Sequence, residues 1–252
     1  MTSPSSPIRR KLSAFGPLGD DEVDILRRFQ RHRRGYPPKH ELTHEGQANP
    51  TAFLLIKGWA CSFKLLPTGE RQIIDFHIPG DFMGLRSILL RRADHSIESL
   101  THIEVSEVLA AELLHGFRQV PRLAAAVLWA AARDEAILAE HLVNLGRRSA
   151  EQRVVHFLLE LGARVKLVGL GDVTKFDCPL TQFHLADALG LSPVHVNRVL
   201  RQLRELGLVT FRKGQVSLGC TDRLRELAGS DFGYLDHETP ILAGVDARFG
   251  PP

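Results

Sequence analysis

The sequence predicts an α+β chain: an N-terminal β jelly roll, one long helix, then a C-terminal winged helix-turn-helix. Three observations predict it. From Arg33 to Leu109, short runs of mixed apolar and polar residues alternate with Pro, Gly and Asn, the texture of an all-β barrel or jelly roll. From Ala110 onward, apolar residues recur at steps of three and four, the period of helices. Residues 179–218 then carry two capped amphipathic helices joined at a glycine and followed by a basic-tipped hairpin. The chain of 252 residues is long enough for one large domain or two ordinary ones. A composition of 44% hydrophobic and 24% charged residues excludes a wholly disordered protein.

The elements follow in order. Residues 1–19, rich in Ser, Pro and basic side chains, are expected to be a disordered tail, with no apolar run for a signal peptide. DDEVDILRRFQRH (20–32) reads as a short helix capped by Asp20 or Asp21, with acids in its first turn. FLLIKGWACSFKLL reads as two strands around Gly58, PTGE (67–70) as a turn, and RQIIDFHI as the next strand. PGD (79–81) is a second turn, Leu85–Arg91 has weak helical character, and HSIESLTHIEVSEVL supplies two more strands. Together 20–118 make the expected jelly-roll domain.

ELLHGF reads as a short helix, and Pro121 starts a long one within 119–146. Its apolar positions Val127, Ala130, Ile137, Leu138, His141 and Leu145 fit two readings: a core helix, or a seam with the same helix of a second chain. The stretch Leu123–Leu145 is broken by Arg133, Asp134, Glu135, Glu140 and His141, too charged to span a membrane. Gly146 to Ser149 reads as a break, and Ser149 with Gln152 has capping-box spacing for the helix that follows. GLGD (169–172) is a linker turn.

The domain 147–230 holds the most informative segment. Thr181 caps a helix carrying Leu185, Ala186 and Leu189; Gly190 suits a left-handed turn; Ser192 caps a second helix with Pro193 at its first position. Val196, Val199, Leu200 and Leu203 form that helix's apolar stripe. The net charge of the chain is only +3, from 32 Lys and Arg against 29 Asp and Glu. Between 181 and 213, however, five bases face two acids, Asp187 and Glu205, and the bases lie mostly on the second helix and the wing tip. Thr181, Ser192, Val194, His195, Asn197, Arg198, Arg201, Arg212 and Lys213 are the expected DNA-binding residues. Arg198 can fork onto a guanine, Asn197 can meet an adenine or a phosphate, and Val194 can pack on a thymine methyl. Arg201 and Arg212 suit phosphates.

At these residues the chain resembles the Crp/Fnr family of bacterial transcription regulators. The resemblance covers roughly 20–228 and is carried by IKGWACSFKLLPTGERQIIDFHIPGDFMGL (56–85), the long helix after Pro121, and LSPVHVNRVLRQLRELGLV (191–209). It implies a jelly roll like a cyclic-nucleotide-binding domain, a dimerising helix over 121–145, and a homodimer on palindromic double-stranded DNA. Contact with RNA polymerase is implied if the regulator activates. The expected effector pocket involves Gly84, Leu85, His95 and Ser96. The cAMP-binding members carry a Glu where Leu85 stands and an Arg-Ser pair where His95 and Ser96 stand, so cAMP in the usual mode is not expected. Three cysteines, Cys61, Cys178 and Cys220, with none before Cys61, cannot make a four-thiolate iron–sulfur cluster within one chain. Their sparse spacing also argues against a zinc site and for a reducing cytoplasm. Haem on His40, His44, His77, His95 or His102 is a weaker option, and Cys61 reads as a small buried hydrophobe before it reads as a thiol switch. The effector is therefore left open. In the reader helix, Pro193 and Val194 replace the Arg-Glu pair of the catabolite-activator branch, while Arg198 keeps that branch's later Arg. The operator is expected to differ accordingly.

No nucleophile–base constellation, Walker loop or dinucleotide fingerprint is present, so an enzyme is not expected. The alternative from another class is a small-molecule-binding module whose winged helix makes protein contacts. The C-terminal tail, 231–252, carries no motif.

Overall fold

A computed structural model describes residues 6–90 and 92–235. Eight short strands form the N-terminal jelly roll: β1 (Arg33–Tyr36), β2 (Glu41–Thr43), β3 (Ala52–Lys57), β4 (Ala60–Leu65), β5 (Arg71–His77), β6 (Phe82–Met83), β7 (Ser96–Ser99) and β8 (Ile103–Val108). They pair as two four-stranded antiparallel sheets, β1-β8-β3-β6 and β2-β7-β4-β5. Alternation along the strands turns Phe53, Leu55, Ala60, Ile97, Ile103 and Val105 into the space between the sheets. The β3–β4 hairpin turns at Gly58, whose φ of +81° and closeness to the His102 carbonyl leave no room for a side chain. Between β6 and β7, Arg86–Leu89 make one turn of 3-10 helix.

Helices α1 (Pro7–Ser13), α2 (Asp20–Arg28), α3 (Ala110–Gln119) and α4 (Pro121–Arg147) flank this roll. The expected disordered tail at 1–19 is corrected by α1; residues 1–5 lie outside the described part. Pro7 sits in the first helical turn, and Ile8 and Leu12, four residues apart, are both buried against Leu26, Leu123 and Val127. The Ser- and Pro-rich composition hid that pair. Helix α2 starts where expected, but Gly19 is its N-cap and no side chain caps it; Asp20, Asp21 and Glu22 instead complement the helix dipole. Helix α4 continues through the expected break at Gly146 as far as Arg147.

The C-terminal half comprises α5 (Ala150–Leu167), β9 (Lys175–Asp177), α6 (Gln182–Leu189), α7 (Pro193–Glu205), β10 (Val209–Arg212), β11 (Gln215–Leu218) and α8 (Thr221–Ala228). Its sheet runs β10-β11-β9, so the wing is closed by a third strand that sequence reading missed. The core gathers Leu158, Leu185, Val196, Val199, Leu203 and Val216. The described part of the C-terminal tail is packed: Phe232 and Leu235 are buried, and Tyr234 donates a hydrogen bond to Glu160 at 3.2 Å. Residues 236–252 of that tail lie outside the described part. Among the described residues, no helix is long and apolar enough to cross a membrane.

Candidate nucleic-acid interface and sensor cavity

Local chemistry sets the two helices of the reader. The hydroxyl of Thr181 accepts from His184 N at 3.3 Å, and the His184 ring accepts in return from Thr181 N at 3.1 Å, a capping box with His in the place usual for Glu or Gln. Helix α6 ends at Gly190, left-handed at φ +62°, and Leu191 N then donates back to Ala186 O at 3.1 Å. The hydroxyl of Ser192 accepts from His195 N at 3.2 Å and opens α7. Val196, Val199, Leu200 and Leu203 are buried, so the opposite face looks outward.

On that outward face lie Val194, 80% exposed, and the exposed side chains of Asn197, Arg198 and Arg201. Arg201 is held by Glu205 at 2.8 Å, whereas Arg198 has no hydrogen bond or ion pair among the described residues. His195 is half-buried at the helix start. Thr181 and Ser192 are exposed, with their hydroxyl oxygens committed to caps and their O–H groups free to donate outward. Arg212 ends β10 opposite Gln215, and Lys213 (φ +52°) with Gly214 (φ +74°) forms the two-residue tip. Both acids of the segment are spoken for: Glu205 by Arg201, and Asp187 by Arg71 of β5 at 2.9 Å. The exposed charge left over is cationic.

Contacts that were not foreseen tie the reader to the roll and to the long helix. Arg71 also pairs with Glu98 at 3.1 Å, and Gln72 donates to Ala188 O at 3.1 Å, fixing β5 against α6. Arg153 of α5 donates to Arg148 O, Leu189 O and Leu145 O at 2.9–3.0 Å, so one guanidinium gathers the ends of α4 and α6. A lone Arg, whether in a strand like Arg71 or in a helix like Arg153, gives no sequence signal for either role.

Between the roll and helices α3 and α4 lies a cavity of about 650 Å³. Three of the four expected pocket residues, Gly84, Leu85 and His95, line it. Ser96 does not: it is buried, and its hydroxyl accepts from Glu45 N at 3.0 Å. His95 is buried too, its Nδ1 2.8 Å from Asp94 and 3.1 Å from Arg86, which itself pairs with Asp94 at 2.9 Å. Burial holds the His95 ring below the usual imidazole range, although Asp94 opposes this. The other polar lining comes from Lys11, Ser62, Asp75, His77, Arg86, Asp134 and Glu135, most of it unread in the sequence.

Beneath the cavity runs a buried charge network. Arg164 of α5 donates to Asp75 at 2.8 Å, to Phe76 O at 2.6 Å and to Asp81 at 3.2 Å, while Lys11 pairs with Asp81 at 2.8 Å. Although burial alone would raise it, Asp81 is held far below the carboxylate range by Lys11 and Arg164. The Asp of the PGD turn is thus a structural anchor. Cys61 and Cys178 are buried, and burial pushes both thiols up to about 12; Cys220 is exposed. Among the described residues, no group of three or more His, Cys, Asp or Glu side chains is placed to hold a metal ion.

Comparison with known proteins bears on both sites. Residues 33–119 match the cyclic nucleotide-binding domain, and residues 152–227 match the Crp-like helix-turn-helix domain. The chain is 33% identical over 203 residues to the transcriptional activatory protein AadR of Rhodopseudomonas palustris, covering 80% of this chain and 83% of that one. It is 31% identical over 208 residues to the nitrogen fixation regulation protein FixK of Bradyrhizobium diazoefficiens, covering 81% and 86%. Among solved structures it is similar to FixK2 from Bradyrhizobium japonicum, with a TM-score of 0.70 and 28% identity over 79% of this chain and 97% of that one.

Proposed function

From the premise that this chain belongs to the Crp/Fnr family of DNA-binding transcription regulators, we propose that it works as a homodimer joined along α4 and reads a palindromic operator with α7. The observation that carries the DNA reading is the exposed, unpaired Arg198 on a capped helix whose opposite face is buried. In this reading Val194, Asn197 and Arg198 meet base edges. Thr181, Ser192, His195, Arg201, Arg212 and Lys213 meet or approach phosphates.

The geometry of α4 supports the dimer. Leu123, Ala126, Val127, Ala130 and Ile137 face the helix's own core. Ala124, Leu128, Ala131, Glu135, Leu138, Leu142 and Leu145 alternate at steps of four and three along the other side, the spacing of a two-stranded seam, and Leu128 and Leu142 are each 71% exposed. One face of the helix thus packs on its own core, and the other is free to form the proposed seam.

A cyclic nucleotide in the family's usual mode does not suit the cavity. Leu85 offers no acceptor for a ribose hydroxyl, and His95 is already engaged with Asp94 and Arg86. A relative named as an activatory protein supports activation, and with it contact to RNA polymerase, as the regulatory outcome.

Arg198→Ala tests the reading in a gel-shift titration on the gene's own promoter region. The expected result is loss of operator preference by about 1–3 kcal/mol, with weak, salt-sensitive binding to any duplex retained. Undiminished preference would sink the role given to Arg198.

A further inference from the structure

We propose that the cavity between the jelly roll and helices α3 and α4 takes an uncharged, largely apolar molecule whose single hydroxyl-type group seats on Ser62 and His77. The proposal rests on reading the cavity beside Leu85 and His95 as the effector pocket expected of a Crp/Fnr-type regulator. Three features of the cavity carry it.

Its walls are aliphatic and aromatic: Leu85, Ile88, Leu113, Phe117, Val127 and Leu128 all face it. Such walls favour an apolar body and contribute nothing to a phosphate or a ribose.

Among the polar lining, Ser62 and His77 form a matched pair. Ser62 Oγ lies 2.6 Å from His77 Nε2, and both residues are buried. His77 Nδ1 stands 3.8 Å from Asp75, beyond hydrogen-bond reach, and Asp75 is taken by Arg164. Burial lowers the His77 pKa despite Asp75 nearby, which keeps the ring neutral. In one tautomer the ring accepts from Ser62, whose oxygen then accepts from a ligand. In the other the ring donates to Ser62, whose O–H then donates to a ligand. A hydroxyl, being donor and acceptor at once, satisfies either state.

The third feature is the absence of a free cation among the described lining residues. Lys11 serves Asp81 at 2.8 Å and Asp134 at 3.3 Å, and Arg86 serves Asp94 at 2.9 Å. The carboxylate of Glu135, by contrast, is exposed on the cavity wall with no ion pair among the described residues. An anion entering here would lose its water and meet a like charge. Leu128 and Leu138 belong both to this cavity and to the seam of α4, so a seated ligand would touch side chains that the second copy also packs on.

Isothermal calorimetry on the full purified chain at neutral pH tests the proposal. The probes are straight-chain and cyclic alcohols of roughly six to twelve carbons, the matching carboxylates, and cAMP. The expected result is saturable binding of at least one alcohol, with its matching carboxylate and cAMP roughly tenfold weaker or worse. Ser62→Ala should weaken that alcohol by about tenfold, and Ser62→Thr, which keeps the hydroxyl, should restore it. The proposal is overturned if no alcohol saturates, if a carboxylate or cAMP binds more tightly, or if Ser62→Ala binds like the wild type. Gel shifts on the same preparations keep the two readings apart. Protein that shifts DNA but takes no alcohol overturns only the ligand class, and protein that takes alcohol but shifts no DNA overturns only the DNA reading.

Discussion

His141 and Glu160 show what single residues contribute at the joint between α4 and α5. The His141 ring lies 3.1 Å from the Glu160 carboxylate, which has no exposure at all. Burial disfavours the imidazolium, but Glu160 outweighs it and holds the His141 pKa up at about 9. A pKa raised above the unfolded value of about 6.5 adds stability that is complete below that pH and is lost as the pH climbs through 9. His141→Gln should therefore cost on the order of 3 kcal/mol near pH 6 and little near pH 10, read as the gap between thermal melts of the two proteins. A gap that did not change with pH would mean that the ring acts by packing alone. Local residue chemistry was legible in the sequence: the caps at Ser149, Thr181 and Ser192 span three residues each and stand where expected. The pairs His141–Glu160 and Arg164–Asp75 were not, because their partners are 19 and 89 residues apart and each charge reads alone as a solvated one.

Among the elements, α4 has the most to explain. Its period was legible, but which face did what was not, since small and apolar residues occupy both sides. The structure buries one face of the helix, and on the other, the proposed seam, Glu135 is the single charged side chain. In the proposed dimer two Glu135 carboxylates approach each other across it, flanked by Ala131 and Leu138. Glu135→Leu is expected to lower the dimer dissociation constant at least tenfold, on the order of 1.4 kcal/mol, in sedimentation equilibrium. An unchanged constant would place Glu135 off the seam. Strong periodicity and turn residues made α2, β3, β4, β5 and α5–α7 readable. The strands β2, β6 and β9 were not, at two or three residues each, because so short a run carries no alternation to detect. Helix α1 was hidden for another reason: its two buried residues sit in a segment whose composition reads as tail.

For the whole molecule, the three-part architecture and the charge focus of the reader were legible, because both follow from local patterns. How the parts are locked together was not. Arg164 is the clearest lock, since it stands on α5 while Asp75, Asp81 and the Phe76 carbonyl that it holds belong to the roll. Arg164→Met would leave the buried Asp75 without its guanidinium and Asp81 with Lys11 alone. The expected cost is roughly 3–5 kcal/mol, seen in calorimetry as a lowered transition for both halves together. Two separated transitions with the roll unshifted would mean that the halves are independent.

The same guanidinium imposes an order in time on the making of the protein. Lys11 is synthesised before Asp81 and can meet it early, but Arg164 follows Asp81 by 83 residues. At roughly 5–20 residues per second, the roll waits several seconds on the ribosome with Asp75 lacking its guanidinium partner. The contacts of Asp75, the Phe76 carbonyl and Asp81 with Arg164 form only once the first helix of the reader has been made. A chain cut short before that helix would present Asp75 without the guanidinium that pairs with it in the finished fold.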